Sequence, residues 1–333
     1  MEIEIDKSNM RQVIIDSPQQ LLAGLDLAKN IAMTGNFENM VICGIGGSAL
    51  PANLLIDLGI LDIPLYIHRD YGLPKQATEK SLVICISYSG NTEETVSAME
   101  LALEKKLTVV AMATGGKVEE LAIANRIPLV KLPSGIQPRS ATGYIFSALV
   151  TVLENAGIIT GLSQEIESVT EKLPQLNAEF EERGKILAKS LVGKIPVVYA
   201  SEKYASLARI WKIKFNENSK IPAYYNCFPE LNHNEMVGYE GIKNAGAQNL
   251  HIVTLRDINN HPRILKRMDL TASIIEKSGA AHTFVEIKEG SMMEKLFSTL
   301  LLGDWTSYYL ALEYGIDPAP VKTVEEFKAS MKK

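Results

Sequence analysis

Leu82-Val83-Ile84-Cys85-Ile86-Ser87-Tyr88-Ser89-Gly90-Asn91-Thr92-Glu93-Glu94-Thr95 begins as an unbroken apolar run and turns abruptly into hydroxyls around a glycine. A short apolar run of this kind suits a strand covered on both faces, as the strands of a parallel sheet are. The hydroxyl and amide followed by two glutamates mark the start of a helix directly after it. Strand, polar turn and helix form the repeating element of an open α/β sheet, whose ligands bind at the carboxyl ends of the strands. Ser87, Ser89 and Thr92 can each donate to an anion, and the helix N-terminus adds backbone N–H groups and a favourable dipole. Asn91 as a plain helix cap would explain one polar side chain, but not three hydroxyls with a glycine among them.

Working outward, further strands are expected over 40–45, 65–68, 107–113 and 129–132, with helices over 47–58, 92–105, 118–125 and 138–156. Residues 163–191 are charge-rich with spaced leucines and isoleucines, which predicts a half-exposed helical connector interrupted near Pro174. The alternation then resumes. Strands are expected over 195–200, 223–227, 250–255 and 283–287, with helices over 204–215, 263–277 and 293–314 and a short tail helix over 324–331. Both halves read as doubly wound parallel units of about five strands. The division expected is 1–160, a connector over 161–194, and 195–333.

With 333 residues, 46% hydrophobic and 22% charged, the chain has the composition of a two-domain globular protein. A net charge of −5 provides no basic field for nucleic acid or an anionic membrane, so neither is expected as a partner. No run approaches the roughly 20 apolar residues of a membrane span, and the opening MEIEIDKSNM is unlike a secretory leader. Cys43 and Cys85 sit in apolar runs and Cys227 lies far away, a pattern that fits a reducing cytoplasm.

A second turn carries chemistry. Gly44-Ile45-Gly46-Gly47-Ser48-Ala49 follows the first strand and matches the G-x-G-x-x-A form of the dinucleotide fingerprint, with Asp70 after the next strand. A nicotinamide dehydrogenase is therefore one reading. The physics of the turn is broader: glycines let backbone N–H groups approach any phosphate, including one on a sugar.

Together, Gly46-Gly47-Ser48 and the Ser87–Thr95 loop resemble the sugar isomerase (SIS) domain, a flavodoxin-like α/β unit that binds phosphosugars. Three later segments narrow the resemblance: Pro133-Ser134-Gly135-Ile136-Gln137-Pro138-Arg139-Ser140, Lys214-Phe215-Asn216-Glu217-Asn218-Ser219-Lys220-Ile221-Pro222-Ala223, and Pro229-Glu230-Leu231-Asn232-His233-Asn234-Glu235. With them, essentially the whole chain is similar to the bifunctional phosphoglucose/phosphomannose isomerases best known from archaea. The resemblance implies two SIS domains, each a doubly wound parallel sheet of five strands, joined by a helical connector.

It also implies a reaction, the interconversion of glucose 6-phosphate, and mannose 6-phosphate, with fructose 6-phosphate through a cis-enediol. Gly47, Ser48, Ser87, Ser89, Thr92 and Arg139 would bind the phosphorylated hexose. Glu217 would carry the proton between C2 and C1 as general base and then acid. Arg139 would stabilise the enediolate oxygens. His233 would serve ring opening, in the neighbouring subunit's site, which implies a homodimer. A tail lysine also acts in ring opening in this family; Lys328 fits best and Lys322 is the alternative. The tail threonine by which the family admits both epimers has no match in register, Thr323 being the nearest.

No cofactor is expected. The five histidines (His68, His233, His251, His261 and His282) show no H-x-x-x-H or H-E-x-x-H spacing, so no metal is expected either. Two rivals remain beside the dehydrogenase. A non-catalytic phosphosugar sensor would share the hydroxyl loop without needing Glu217, His233 and Arg139 together. A glucosamine-phosphate synthase would need an N-terminal glutaminase with a catalytic cysteine.

Overall fold

The computed structural model describes residues 2–331. Ile15–Pro174 make one compact unit, and the residues from Gln175 onward make another together with those up to Ile14. Three helices come first: α1 (Glu2–Ile5), α2 (Met10–Ile15) and α3 (Gln19–Ala28).

In the first unit β1 (Asn39–Cys43), β2 (Leu65–His68), β3 (Ser81–Ser87), β4 (Thr108–Ala113) and β5 (Leu129–Lys131) pair in parallel in the order β2-β1-β3-β4-β5. Helices α4 (Leu50–Leu58), α5 (Glu93–Glu104) and α6 (Gly116–Asn125) lie between successive strands, and α7 (Thr142–Asn155) follows β5. Every residue of β3 is buried, as befits the middle strand of the five. Val41, Cys43, Val83 and Cys85 pack with Ala98, Met99 and Ala102 of α5 and with Val118 and Ala122 of α6. Burial of each branched side chain contributes about 1.5–3 kcal/mol.

This strand order is the flavodoxin-like one, not the 3-2-1-4-5-6 order of the dinucleotide-binding fold. Its direction reverses between β1 and β3, so a crevice opens at the carboxyl ends of those two strands. The glycine turn and the hydroxyl loop lie there. All three cysteines are free and buried. Cys43 is the register partner of Cys85, and a hydrogen bond between the two thiols, together with burial, pushes the Cys85 thiol well up.

Helix α8 (Leu162–Leu191) runs 30 residues and includes Pro174, where an interruption was expected. Proline removes one backbone bond and costs about 3 kcal/mol in a helix interior. Buried Ile166, Val169, Leu173, Phe180, Leu187 and Leu191 recur at helical spacing on both sides of it and offset that cost.

In the second unit β6 (Ile195–Ser201), β7 (Tyr224–Phe228), β8 (Leu250–Arg256) and β9 (Ala281–Glu286) are parallel in the order β7-β6-β8-β9. The helices are α9 (Ala205–Glu217), α10 (Pro262–Ser278), α11 (Met292–Glu313) and α12 (Lys322–Met331). The expectation of five strands fails here: among the described residues this sheet has four. After β9 the chain enters α11, which is started by a Ser291–Glu294 capping box and buried along most of its length. The first residues of the chain are tied to this unit. Tyr308 donates to Asp6 at 3.2 Å, and Arg11 donates to Glu181 of α8 at 2.7 and 2.9 Å. Among the described residues no helix is long and apolar enough to cross a membrane.

Candidate active site

Three turns of the first unit meet at the carboxyl ends of β1 and β3. Ser87 ends β3 fully buried, and its Oγ lies 2.9 Å from Thr92 Oγ1 and accepts from Thr92 N at 3.3 Å. Exposed Ser89 accepts from Asn91 N at 3.3 Å. Thr92 is the N-cap of α5 but makes no side-chain cap bond. Asn91 does not cap α5 either. Its Oδ1 accepts from Lys117 N at 3.0 Å and its Nδ2 donates to the Ser89 carbonyl at 3.2 Å, which fixes the loop from the side. The first-turn N–H groups of α5 thus have no side-chain cap, the condition an anion needs at a helix N-terminus.

Two glycines make this possible. Gly90 has φ +73°, and a Cβ there would fall 1.6 Å from the Gly115 carbonyl oxygen. At Gly47 a Cβ would fall 2.6 Å from the backbone N of Arg139, so the glycine turn lies directly against the turn Pro138–Ser140. Ser48 Oγ accepts from Tyr88 N at 3.0 Å, joining the glycine turn to the hydroxyl loop. Gly47, Ser48, Ser87, Ser89, Thr92 and Arg139 are therefore brought together at the carboxyl ends of β1 and β3. Arg139 is 1% exposed, and its Nη1 donates to Gln137 Oε1 at 3.3 Å.

Glu217 is the last residue of α9 in the second unit. The segment around it is bolted to α11. Asn218 Nδ2 donates to Ser307 Oγ at 2.9 Å, Ser219 Oγ donates to the Ser307 carbonyl at 2.7 Å, and buried Lys214 pairs with Asp304. Glu217 lines a cavity of about 640 Å³ with Asn216, Lys220, Asp317, Lys322 and Thr323 among its neighbours in the wall. Lys322 and Thr323 share that wall; Lys328, further along exposed α12, does not line it.

His233 ends the turn Glu230–His233 and is exposed, away from the lining of the Glu217 cavity in its own chain. Its loop is held by neighbours on both sides. Asn232 Nδ2 donates to Thr271 Oγ1 at 2.8 Å and Asn234 Nδ2 donates to Glu230 Oε1 at 2.8 Å. Glu235 accepts from Tyr199 and from Asn226, and the Tyr199 and Tyr239 hydroxyls lie 2.6 Å apart. Burial pushes the Tyr239 phenol up to about 12, so both tyrosines stay neutral donors. This anchoring depends on residues from three separate segments, and sequence spacing gave no sign of it.

The equivalent crevice of the second unit, at the carboxyl ends of β6 and β8, is filled by the chain itself. Asp257 accepts from Tyr204, from Lys295 at 2.8 Å and from Asn259 N at 3.0 Å. Burial opposes its ionisation, but these bonds outweigh burial and hold its carboxyl below the usual range. His261 Nδ1 caps α10 by accepting from Arg263 N at 3.1 Å. Among the described residues no group of three or more His, Cys, Asp or Glu side chains is placed to hold a metal ion.

Flavodoxin-like sheets with hydroxyl-bearing loops at the switch point define the class of SIS-domain proteins. Comparison with known proteins goes further. Residues 180–331 match the bacterial phospho-glucose isomerase C-terminal SIS domain. The chain is 38% identical to the bifunctional phosphoglucose/phosphomannose isomerase of Caldicellulosiruptor bescii over 96% of this chain and 98% of that protein. It is 34% identical to the Aquifex aeolicus protein of the same name, over 92% and 94% of the two chains. Tagatose-6-phosphate ketose/aldose isomerase from Escherichia coli shares the fold, with a TM-score of 0.67 at 15% identity over 92% of this chain and 93% of that one. The chain belongs to the bifunctional phosphoglucose/phosphomannose isomerase family.

Proposed function

We propose that the protein interconverts glucose 6-phosphate, and mannose 6-phosphate, with fructose 6-phosphate through a cis-enediol, with no metal or nucleotide cofactor. The two units serve as its SIS domains and the helical stretch over 161–194 as their connector. The observation that carries this reading is Glu217, a carboxylate at a helix end whose neighbours Lys214, Asn218 and Ser219 bond to α11, and which lines a cavity with room for a hexose.

The phosphate is held by Ser48, Ser87, Ser89 and Thr92 with the α5 N-terminus. This grip is the same in ground and transition state, so it sets affinity. Glu217 removes the proton from C2 and returns it to C1, and the buried Arg139 guanidinium balances charge on the enediolate oxygens. Ring opening falls to His233 and a tail lysine. Resemblance assigns that lysine as Lys328, while the place of Lys322 in the cavity wall supports Lys322. The exposure of His233, away from its own chain's cavity, supports a homodimer in which it serves the neighbouring subunit. Three free, buried cysteines support a cytoplasmic setting.

Fructose, glucose and mannose 6-phosphates incubated in heavy water and followed by NMR test the reaction. Interconversion with deuterium at C1 or C2 is expected, and Glu217→Gln should lower it about 10²–10⁴-fold while binding persists. Binding without turnover in the wild type, or full turnover in the variant, overturns the assignment. Mixing Glu217→Gln with His233→Ala should restore activity that neither variant has alone; no recovery on confirmed subunit exchange removes the shared site.

A further inference from the structure

Three residues beyond Glu217, Lys220 adopts φ +58°, a left-handed conformation that costs a side-chain-bearing residue about 1–2 kcal/mol. Its ammonium curls back to donate to the Glu217 backbone carbonyl, and it donates at 2.9 Å to the carbonyl of Pro318. The first acceptor lies at the C-terminus of α9, where unpaired carbonyls and the helix dipole favour a cation. The second lies in the turn where Asp317 Oδ1 accepts from Ala319 N at 3.1 Å. From that turn the chain runs into Pro320–Val324, which lines the same cavity as Glu217 and brings in Lys322 and Thr323. Asn216 Nδ2 donates to the Ile221 carbonyl at 2.8 Å and keeps the loop carrying Lys220 folded under the helix end.

We propose that Lys220 is a positioning residue that latches the C-terminal tail to the helix end carrying Glu217, so that the tail side chains meet substrate in register with the proton-transferring carboxylate. The inference rests on Glu217 as the base. A lysine suits the task because one flexible ammonium reaches two carbonyls that converge from segments about a hundred residues apart in sequence. The phosphate grip belongs to other residues, so loss of the latch acts on the chemical step and leaves affinity largely alone.

The test compares Lys220→Met, Lys220→Gln and Lys220→Arg in the full-length protein, with Glu217→Gln beside them. Turnover of fructose 6-phosphate, thermal stability and hydrogen exchange over 317–331 are measured. Misplacement of a catalytic group by an ångström costs up to about 10²-fold, so Lys220→Met should lower kcat about 10- to 100-fold with KM within about twofold. Its tail amides should exchange faster. Lys220→Gln, which keeps one carbonyl bond, should fall between, and Lys220→Arg should recover most of kcat. A kcat for Lys220→Met within about threefold of wild type overturns the latch. So does a joint loss of kcat, KM and melting temperature that Lys220→Arg does not rescue. Full activity in Glu217→Gln instead defeats the assignment of the base, whatever Lys220 does.

Discussion

Gly90→Ala puts the architecture of the hydroxyl loop under direct test. The added methyl would lie 1.6 Å from the Gly115 carbonyl oxygen and 2.5 Å from its carbon. These are backbone atoms, so no rotamer change relieves the overlap, and the two loops must part by more than an ångström. Four hydrogen bonds span that junction: Val118 N to the Gly90 carbonyl at 2.9 Å, Thr114 N and Thr114 Oγ1 to the Tyr88 carbonyl at 3.1 and 2.7 Å, and Lys117 N to Asn91 Oδ1 at 3.0 Å. At about 1 kcal/mol each, with about 1–2 kcal/mol for a methyl-bearing residue at positive φ, the loss comes to roughly 5–6 kcal/mol. In a unit of this size each kcal/mol lowers Tm by about 2–4 °C, so a drop of roughly 10–24 °C is expected. It should fall on the transition of the first unit, since two units need not melt together. Calorimetry measures this. Displacing Ser87 and Thr92 should also raise KM about tenfold or more, with kcat less affected. A variant melting within about 2 °C of wild type, with KM within about twofold, would refute the described packing of this loop.

The remaining predictions concern one hydroxyl and one imidazole. Ser87→Ala removes the oxygen that Thr92 engages at 2.9 and 3.3 Å, and should raise KM about tenfold at nearly constant kcat; a pure kcat effect would take Ser87 out of the phosphate grip. His282 bonds Thr254 Oγ1 at 3.0 Å; burial, with His251 close by, lowers its pKa from 6.5 to about 4. The unfolded chain therefore takes up a proton below pH 6.5 that the folded chain refuses until about pH 4, and stability is lost as pH falls through that window. After discounting for partial exposure, the loss is roughly 1–3 kcal/mol. Denaturant titrations between pH 7 and 4 should show His282→Gln losing less stability than wild type, and parallel curves would remove His282 as a source of acid sensitivity.

What the sequence by itself determined is mostly local. Short apolar runs alternating with amphipathic stretches specify parallel strands and crossover helices, because period and length are properties of neighbouring residues. The glycine turn and the hydroxyl loop were legible for the same reason, each being a strand end, a turn and a helix start within about ten positions. Five strands were read into the second half, although only four β-type runs occur there and the next apolar stretch has helical length and a capping box. Tertiary structure decided the rest. Asp6 and Arg11 bind Tyr308 and Glu181, so the described residues up to Ile14 belong with the second unit. Pairings between residues so far apart leave no periodic trace. The same holds where Ser48 is tied to Tyr88, where Glu235 meets Tyr199, and where Lys322 rather than Lys328 shares the cavity wall with Glu217. A helix register or loop closure sets each of these, and either one moves a side chain by several ångströms without changing the local pattern that encodes the element.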